Sequence, residues 1–368
     1  MTRRFASWTG RIRRCCKKVN KQSIRIGLST ISLLLAACAF AADGETPALN
    51  RAVFTGALTE ARSMPRLHSL LVSHNGELVV EEYFNGLSRS RTANVKSVSK
   101  SIMSALIGIA IDQGHIEGLD QSISDYYGDR IDDDPTGFKQ RITVGNLLSM
   151  QAGLETTSSY NFGAWVLSDD WVEFALNQPV EALPGSLMLY STGNTHLLSD
   201  ILTEATGQST LEFAREALAR PMGFHLNSWT QDPNGVYFGG NNMELTPRQM
   251  MAFGEMYLND GEANGRQVIP TEWVETSLQP RVRSERDSTR HYGYGWWMRD
   301  MAGVPTTYAW GFGGQFILLA KDLDMVVVTT SSSQPGDTRR AHTRALYDLL
   351  EEQIIAPAVH SRSAGPAD

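Results

Sequence analysis

The spacing of hydrophobic positions along the chain changes twice, from alternating to helical and back. Residues 70–73 and 78–84 are short β-rich runs on either side of His74-Asn75-Gly76. Asn-Gly accepts the positive φ angles of a two-residue turn, so the pair predicts a β-hairpin. Residues 101–113 are apolar on nearly every face (Ile102, Met103, Leu106, Ile107, Ile109, Ile111), the pattern of a helix that crosses a core, and Gly114 ends it. After an acidic, turn-rich stretch over 115–140, Thr143 caps a helix over 144–150 that stops by Gly153. Pro184-Gly185 makes a turn, and residues 187–190 lead into a helix with Leu197, Leu198, Ile201, Leu202 and Ala205 on one face, ended by Gly207. Ser209 and Glu212 form a capping box for the next helix, which Pro221 terminates, and Thr246-Pro247 opens another to about Leu258. Strand-like runs return at 292–298, 307–310, 316–320 and 325–330, with a hairpin turn over 321–324 and an amphipathic helix over about 338–354.

Strands at both ends with helices between them predict an α/β chain of the α+β type. One antiparallel β-sheet built from the two ends is flanked by helices, and a mainly helical lobe is inserted over about 115–272. The aromatics of 155–180 (Tyr160, Trp165, Trp171, Phe174) have weak periodicity and are expected to fill the core of that lobe. A single domain over 67–358 follows a linker over 43–66 and precedes a tail over 359–368.

The first 42 residues read as an export signal: arginines and lysines without an acid over 1–25, then no charge over 26–42. The uncharged run is at the short edge for a membrane span. Two processing sites compete. Ala39-Phe40-Ala41 suits ordinary cleavage, whereas Leu35-Ala36-Ala37-Cys38 resembles the bacterial lipobox, in which Cys38 would carry a lipid and attach a periplasmic protein to the membrane. The cysteines are Cys15, Cys16 and Cys38, so the exported part has no disulfide or thiol chemistry. A net charge of −7, from 33 basic and 40 acidic residues, argues against nucleic acid as a partner.

Candidate chemistry centres on Ser97-Val98-Ser99-Lys100, the only S-x-x-K in the chain. At a helix start this spacing places hydroxyl and amine on one face, one turn apart. A hydroxyl needs an adjacent proton acceptor to attack near neutral pH, and a lysine serves only when its surroundings hold it neutral. The apolar helix would carry Lys100 into such a desolvated place and leave Ser97 among free N–H groups that favour an oxyanion. Beyond the leader the only lysines are Lys96, Lys100, Lys139 and Lys321, against many arginines, which suggests a group that must lose its proton. The G-x-S-x-G, G-x-x-x-x-G-K-[ST] and H-E-x-x-H motifs are absent, and His196 and His291 adjoin no nucleophile motif.

Taken in order, Ser97-x-x-Lys100, Tyr190-Ser191-Thr192 and Trp310-Gly311-Phe312-Gly313-Gly314 resemble the three motifs of the serine β-lactamase and penicillin-binding-protein superfamily. The likeness covers about 70–330 and is nearest to the class C β-lactamase-like branch, which includes carboxylesterases, D-amino-acid peptidases and 6-aminohexanoate-dimer hydrolase. The resemblance implies that Ser97 attacks a carbonyl while Lys100 and Tyr190, sharing a hydrogen bond, move the proton. It further implies that the Ser97 and Phe312 amides form an oxyanion hole, that Trp310, Gly311 and Tyr160 contact substrate, and that no metal or cofactor takes part. Thr192 stands where the family has asparagine, and Trp310 where β-lactamases have a cation; both changes point to a small ester or amide substrate over β-lactams. The alternatives are a β-lactamase or D-amino-acid peptidase and, from another class, a non-catalytic penicillin- or cell-wall-binding lipoprotein.

Overall fold

The computed structural model describes residues 49–131 and 133–363; Cys38 and both processing sites lie outside them. Among the described residues no helix is long and apolar enough to cross a membrane. The hairpin forms as β1 (Leu67–His74) and β2 (Glu77–Tyr83), with Asn75 and Gly76 at φ of 51° and 75°. Six more strands complete one antiparallel sheet: β3 (Val282–Arg283), β4 (His291–Tyr292), β5 (Trp297–Met301), β6 (Val304–Gly311), β7 (Gln315–Ala320) and β8 (Met325–Ser331). Their order is β2-β1-β8-β7-β6-β5-β4-β3, so the first strand lies beside the last, inside the sheet.

Each face of the sheet has its own core. On one face Leu70, Val72, Phe316, Leu318 and Val327 pack with Phe54, Leu346, Leu350 and Ile354. On the other, Leu71, Ala309, Ile317, Leu319 and Val328 pack with Ile102, Leu106, Phe253 and the inserted lobe. Burying one such side chain is worth about 1.5–3 kcal/mol. The helix from the 101–113 run is α2 (Ser99–Asp112), buried along nearly its whole length. It packs against α3 (Thr192–Thr206), which Gly207 ends at φ 68°, and α4 (Pro247–Leu258) begins with the expected capping box at Thr246. Trp165 and Trp171 do fill the lobe core.

Three expectations change. Within 43–66, read as linker, residues Thr55–Ser63 form α1, because Phe54, Ala57, Leu58 and Ala61 make a helical apolar stripe that is buried under the sheet. The strand over 292–298 is broken, since residues 293–296 fold onto α2, where the Ser101 hydroxyl donates to Gly295 O at 2.6 Å. The last helix, α5 (Arg339–Leu350), continues through a π turn and Ala356–Ser363, so 359–363 is not tail; Ile354, Ile355 and Ala358 are buried there.

Candidate active site

Ser97 sits in a 3-10 turn, Lys96–Val98, that runs directly into α2. Lys96 enters it at φ +52°, and the Ser99 hydroxyl donates to Lys96 O at 2.7 Å, fixing the turn. Ser97 remains partly exposed while Lys100, one turn later, is only 1% exposed. The lysine Nζ lies 3.2 Å from Ser97 Oγ, 3.1 Å from Thr192 Oγ1 and 2.8 Å from Gly240 O. Burial without a bonded carboxylate pushes its pKa down to about 7. An amine in that state shares its proton readily with a hydroxyl at hydrogen-bond distance.

Tyr190 comes from the approach to α3. The residue is partly exposed, but its hydroxyl is covered and has no hydrogen-bond partner among the described residues. Burial holds the phenol well above its ordinary range, with the Ser97 hydroxyl acting against that shift. The ring stacks on Trp297 at 5.5 Å and 26°. A direct Lys100–Tyr190 hydrogen bond is not formed: Nζ is engaged by Ser97, Thr192 and Gly240, and the amine stands 5.1 Å from the ring centroid instead. Thr192 is itself held, since the Ser158 hydroxyl accepts its N–H at 2.7 Å and lies 2.7 Å from its Oγ1.

The end of β6 closes the other side. A Cβ on Gly311 would come 2.2 Å from Val95 O, so only glycine lets the strand lie on the turn that carries Ser97. Phe312 follows, and among the described residues neither its amide nor that of Ser97 donates a hydrogen bond. The arginine Arg339, at the start of α5, stands 4.3 Å over the Phe312 ring.

Trp310 does not face this group. Side chains alternate along a strand, so Ala309 and Gly311 point toward α2 while Trp310, with Tyr308, packs on the core of the terminal helices. Ala309, on the α2 side of the strand, is fully buried in the core. Tyr160 is 82% exposed on the loop two residues beyond Ser158, with its hydroxyl bonded to Glu155, so its ring stands in solvent and not against Lys100. Residues the sequence reading overlooked are Ser158 and Gly240. Gly240 had a signal, a Gly239-Gly240 pair outside any predicted turn: a Cβ at Gly240 would meet Thr195 Oγ1 at 2.1 Å and Lys100 Nζ at 2.9 Å. A cavity of about 210 Å³ lined by His68, Arg91 and Ser332 includes none of these residues. No group of three His, Cys, Asp or Glu side chains suited to a metal occurs among the described residues.

Comparison with known proteins gives the family and the fold. The family model for Beta-lactamase matches residues 66–351. The 6-aminohexanoate-dimer hydrolase of Paenarthrobacter ureafaciens is 24% identical over 324 residues, 79% of each chain. Among solved structures, a Bacillus anthracis protein assigned as a 6-aminohexanoate-dimer hydrolase superposes with a TM-score of 0.68 at 23% identity, over 84% of this chain and 83% of its own. The hydrolase EstCE1, which has promiscuous acyltransferase activity, gives 0.63 at 16% identity, over 81% and 97%.

Proposed function

The chain belongs to the Beta-lactamase family, and from that premise we propose that it is a serine hydrolase that forms an acyl-enzyme on Ser97 from a small ester or amide. The observation that carries the reading is the 3.2 Å approach of Ser97 Oγ to a fully buried lysine. Ser97 Oγ attacks the carbonyl carbon as its proton passes to Lys100 Nζ. The carbonyl π pair moves to oxygen, where the Ser97 and Phe312 amides are free to receive it, and such preorganised donors are usually a leading catalytic contribution. Collapse of the tetrahedral intermediate breaks the bond to the alcohol or amine, which takes up the proton held by Lys100, while the covered Tyr190 hydroxyl, otherwise unpartnered, is free to donate to the departing atom. Water then attacks the acyl carbon, giving up a proton by the reverse route, and the carboxylic acid leaves as Ser97 regains its hydrogen.

Selectivity follows from two features. The end of β6 beside Ser97 presents no charged side chain, since Gly311 lies on the turn that carries Ser97 and Trp310 packs on the opposite face, which favours neutral substrates over anionic ones. Arg339 beside Phe312 works the other way, toward a substrate with a carboxylate on its leaving side, as in a β-lactam or a D-amino-acid peptide. A fluorophosphonate probe tests the nucleophile: labelling is expected in the wild type and lost in Ser97→Ala, together with hydrolysis of p-nitrophenyl butyrate. A folded Ser97→Ala protein with near-wild-type turnover ends the hypothesis, and absence of labelling in the wild type favours a non-catalytic binding protein. The ratio of kcat/KM for the ester to that for nitrocefin then decides between the neutral and anionic readings.

A further inference from the structure

We propose that His196 and Asp232 are positioning residues for Lys100, locking the 229–240 loop so that it presents the Gly240 carbonyl and keeps water from the amine. The inference rests on Lys100 being the base of the proposed reaction. His196 lies on α3 one turn after Thr192, and its Nε2 is 3.0 Å from Asp232 Oδ2 with both side chains fully buried. Trp165, Trp171 and Phe238 box the ring, at 5.9, 5.4 and 5.9 Å between centroids. The other Asp232 oxygen accepts the N–H groups of Asn234 at 2.9 Å and Val236 at 2.8 Å, so one carboxylate ties α3 to the tip of the loop. Burial acts to raise that carboxyl, but the bond to His196 and the loop amides outweigh it and leave it below its ordinary range.

From this anchor the loop returns along α3 toward the lysine. The Ser199 hydroxyl donates to Tyr237 O at 2.6 Å, Phe238 lies against His196, and a Cβ on Gly239 would meet Thr195 O at 1.9 Å. Gly240 O then receives Lys100 Nζ at 2.8 Å. Thr192 Oγ1, the lysine's second partner, projects from the same helix that carries His196. A buried polar pair generally stabilises a fold less than hydrocarbon of equal volume. Were packing the only task here, another aromatic ring would serve among Trp165, Trp171 and Phe238. The pair adds direction, because a carboxylate that accepts three bonds fixes the loop where apolar contact would let it slide.

The charged and titratable groups that bear on the readout are few. Lys100 faces Ser97 and Tyr190, with Lys96 in the preceding turn. His196 faces Asp232 and, one turn along α3, Asp200, whose carboxylate accepts the Tyr127 hydroxyl at 3.0 Å. The chain has seven lysines, so a protein labelled with carbon-13 at lysine Cε gives few signals, and Lys100→Ala identifies the one that matters. Lys100 is expected to titrate near 7 in the wild type and about one pH unit or more higher in His196→Phe, which fills the aromatic box, and in Asp232→Ala. Asp232→Asn keeps the volume and an oxygen for the loop amides, so it should give a smaller rise, and it decides the matter where the other variants do not fold. The acid limb of kcat/KM on p-nitrophenyl butyrate moves with the titration. Unchanged Lys100 titration in these folded variants overturns the inference even if the enzyme is active. A moved titration in a protein that hydrolyses nothing upholds the positioning of Lys100 while removing the reading of it as a base.

Discussion

On the face of the sheet covered by the chain's terminal helices, Leu70, Val72, Leu318 and Val327 meet Phe54, Leu346, Leu350 and Ile354, chiefly through hydrocarbon. On the opposite face the same strands support α2, and within that apolar layer stand Lys100, Thr192 and His196 with Asp232, all buried. The first face can only stabilise, and it does so by area. The second carries groups whose burial opposes folding but creates reactivity, since the desolvation that makes a charged lysine unfavourable also makes a neutral one available.

The sharpest way to break that contrast is Lys100→Met, which turns the second face into a copy of the first. Activity should fall by at least the ~10²-fold typical of a lost proton-transfer group. Stability should rise, with a definite pH dependence. Lys100 holds a folded value of about 7 against the ordinary lysine value of 10.5, so between those limits the unfolded chain binds more protons than the folded one. Its penalty is therefore full below about pH 7 and gone by about 10.5. Urea denaturation should show Lys100→Met more stable by a few kcal/mol at pH 6 and nearly equal to wild type at pH 10. The kcat/KM of the wild type should correspondingly fall as pH drops through about 7. A Lys100→Met protein no more stable at pH 6 would mean that the wild-type amine is not desolvated.

Leu318→Ala is the complementary change. It empties a fully buried position on the first face and should cost about 2–5 kcal/mol, while kcat/KM measured well below the melting temperature stays within about threefold. A large loss of activity without loss of stability would show that the two faces are not independent. The smallest expected effect is the most diagnostic of orientation. Trp310→Phe keeps an aromatic on the terminal-helix face and should cost less than about 1.5 kcal/mol, leaving the ester-to-nitrocefin ratio unchanged. A tenfold change in that ratio would place Trp310 in the substrate site after all.

Local signals made much of this legible beforehand. The Asn75-Gly76 turn, the Thr143, Ser209 and Thr246 caps and the glycine stops at Gly114 and Gly207 all mark real boundaries, because each depends on the backbone chemistry of one or two residues. The pairing of Ser97 with Lys100 was legible for the same reason, being fixed by one helical turn. What escaped depends on distant neighbours. Gly240 reaches Lys100 across 140 residues, and no short window of sequence contains both. Helix α1 looked like linker because its apolar stripe is only four residues, too few to stand out until the sheet that buries it is present. Trp310 was given the wrong side because a motif names residues without stating strand phase, and a shift of one position exchanges the faces.

Two antiparallel neighbours inside the sheet, β1 and β8, come from opposite ends of the chain: the Ser69 and Thr330 hydroxyls meet at 2.7 Å across a separation of 261 residues. At roughly 5–20 residues added per second, a ribosome needs on the order of tens of seconds to cover that interval. Throughout it β1 has only its hairpin partner, with one edge open to other chains. The helices of the lobe lie between the two ends of the chain and are synthesised before the last strands. The sheet cannot close until those strands are made, and the end of β6 cannot lie beside Ser97 before then. Catalytic competence therefore arrives as a single late event, when the last strand closes against the first, and a nascent chain needs protection from aggregation until that moment.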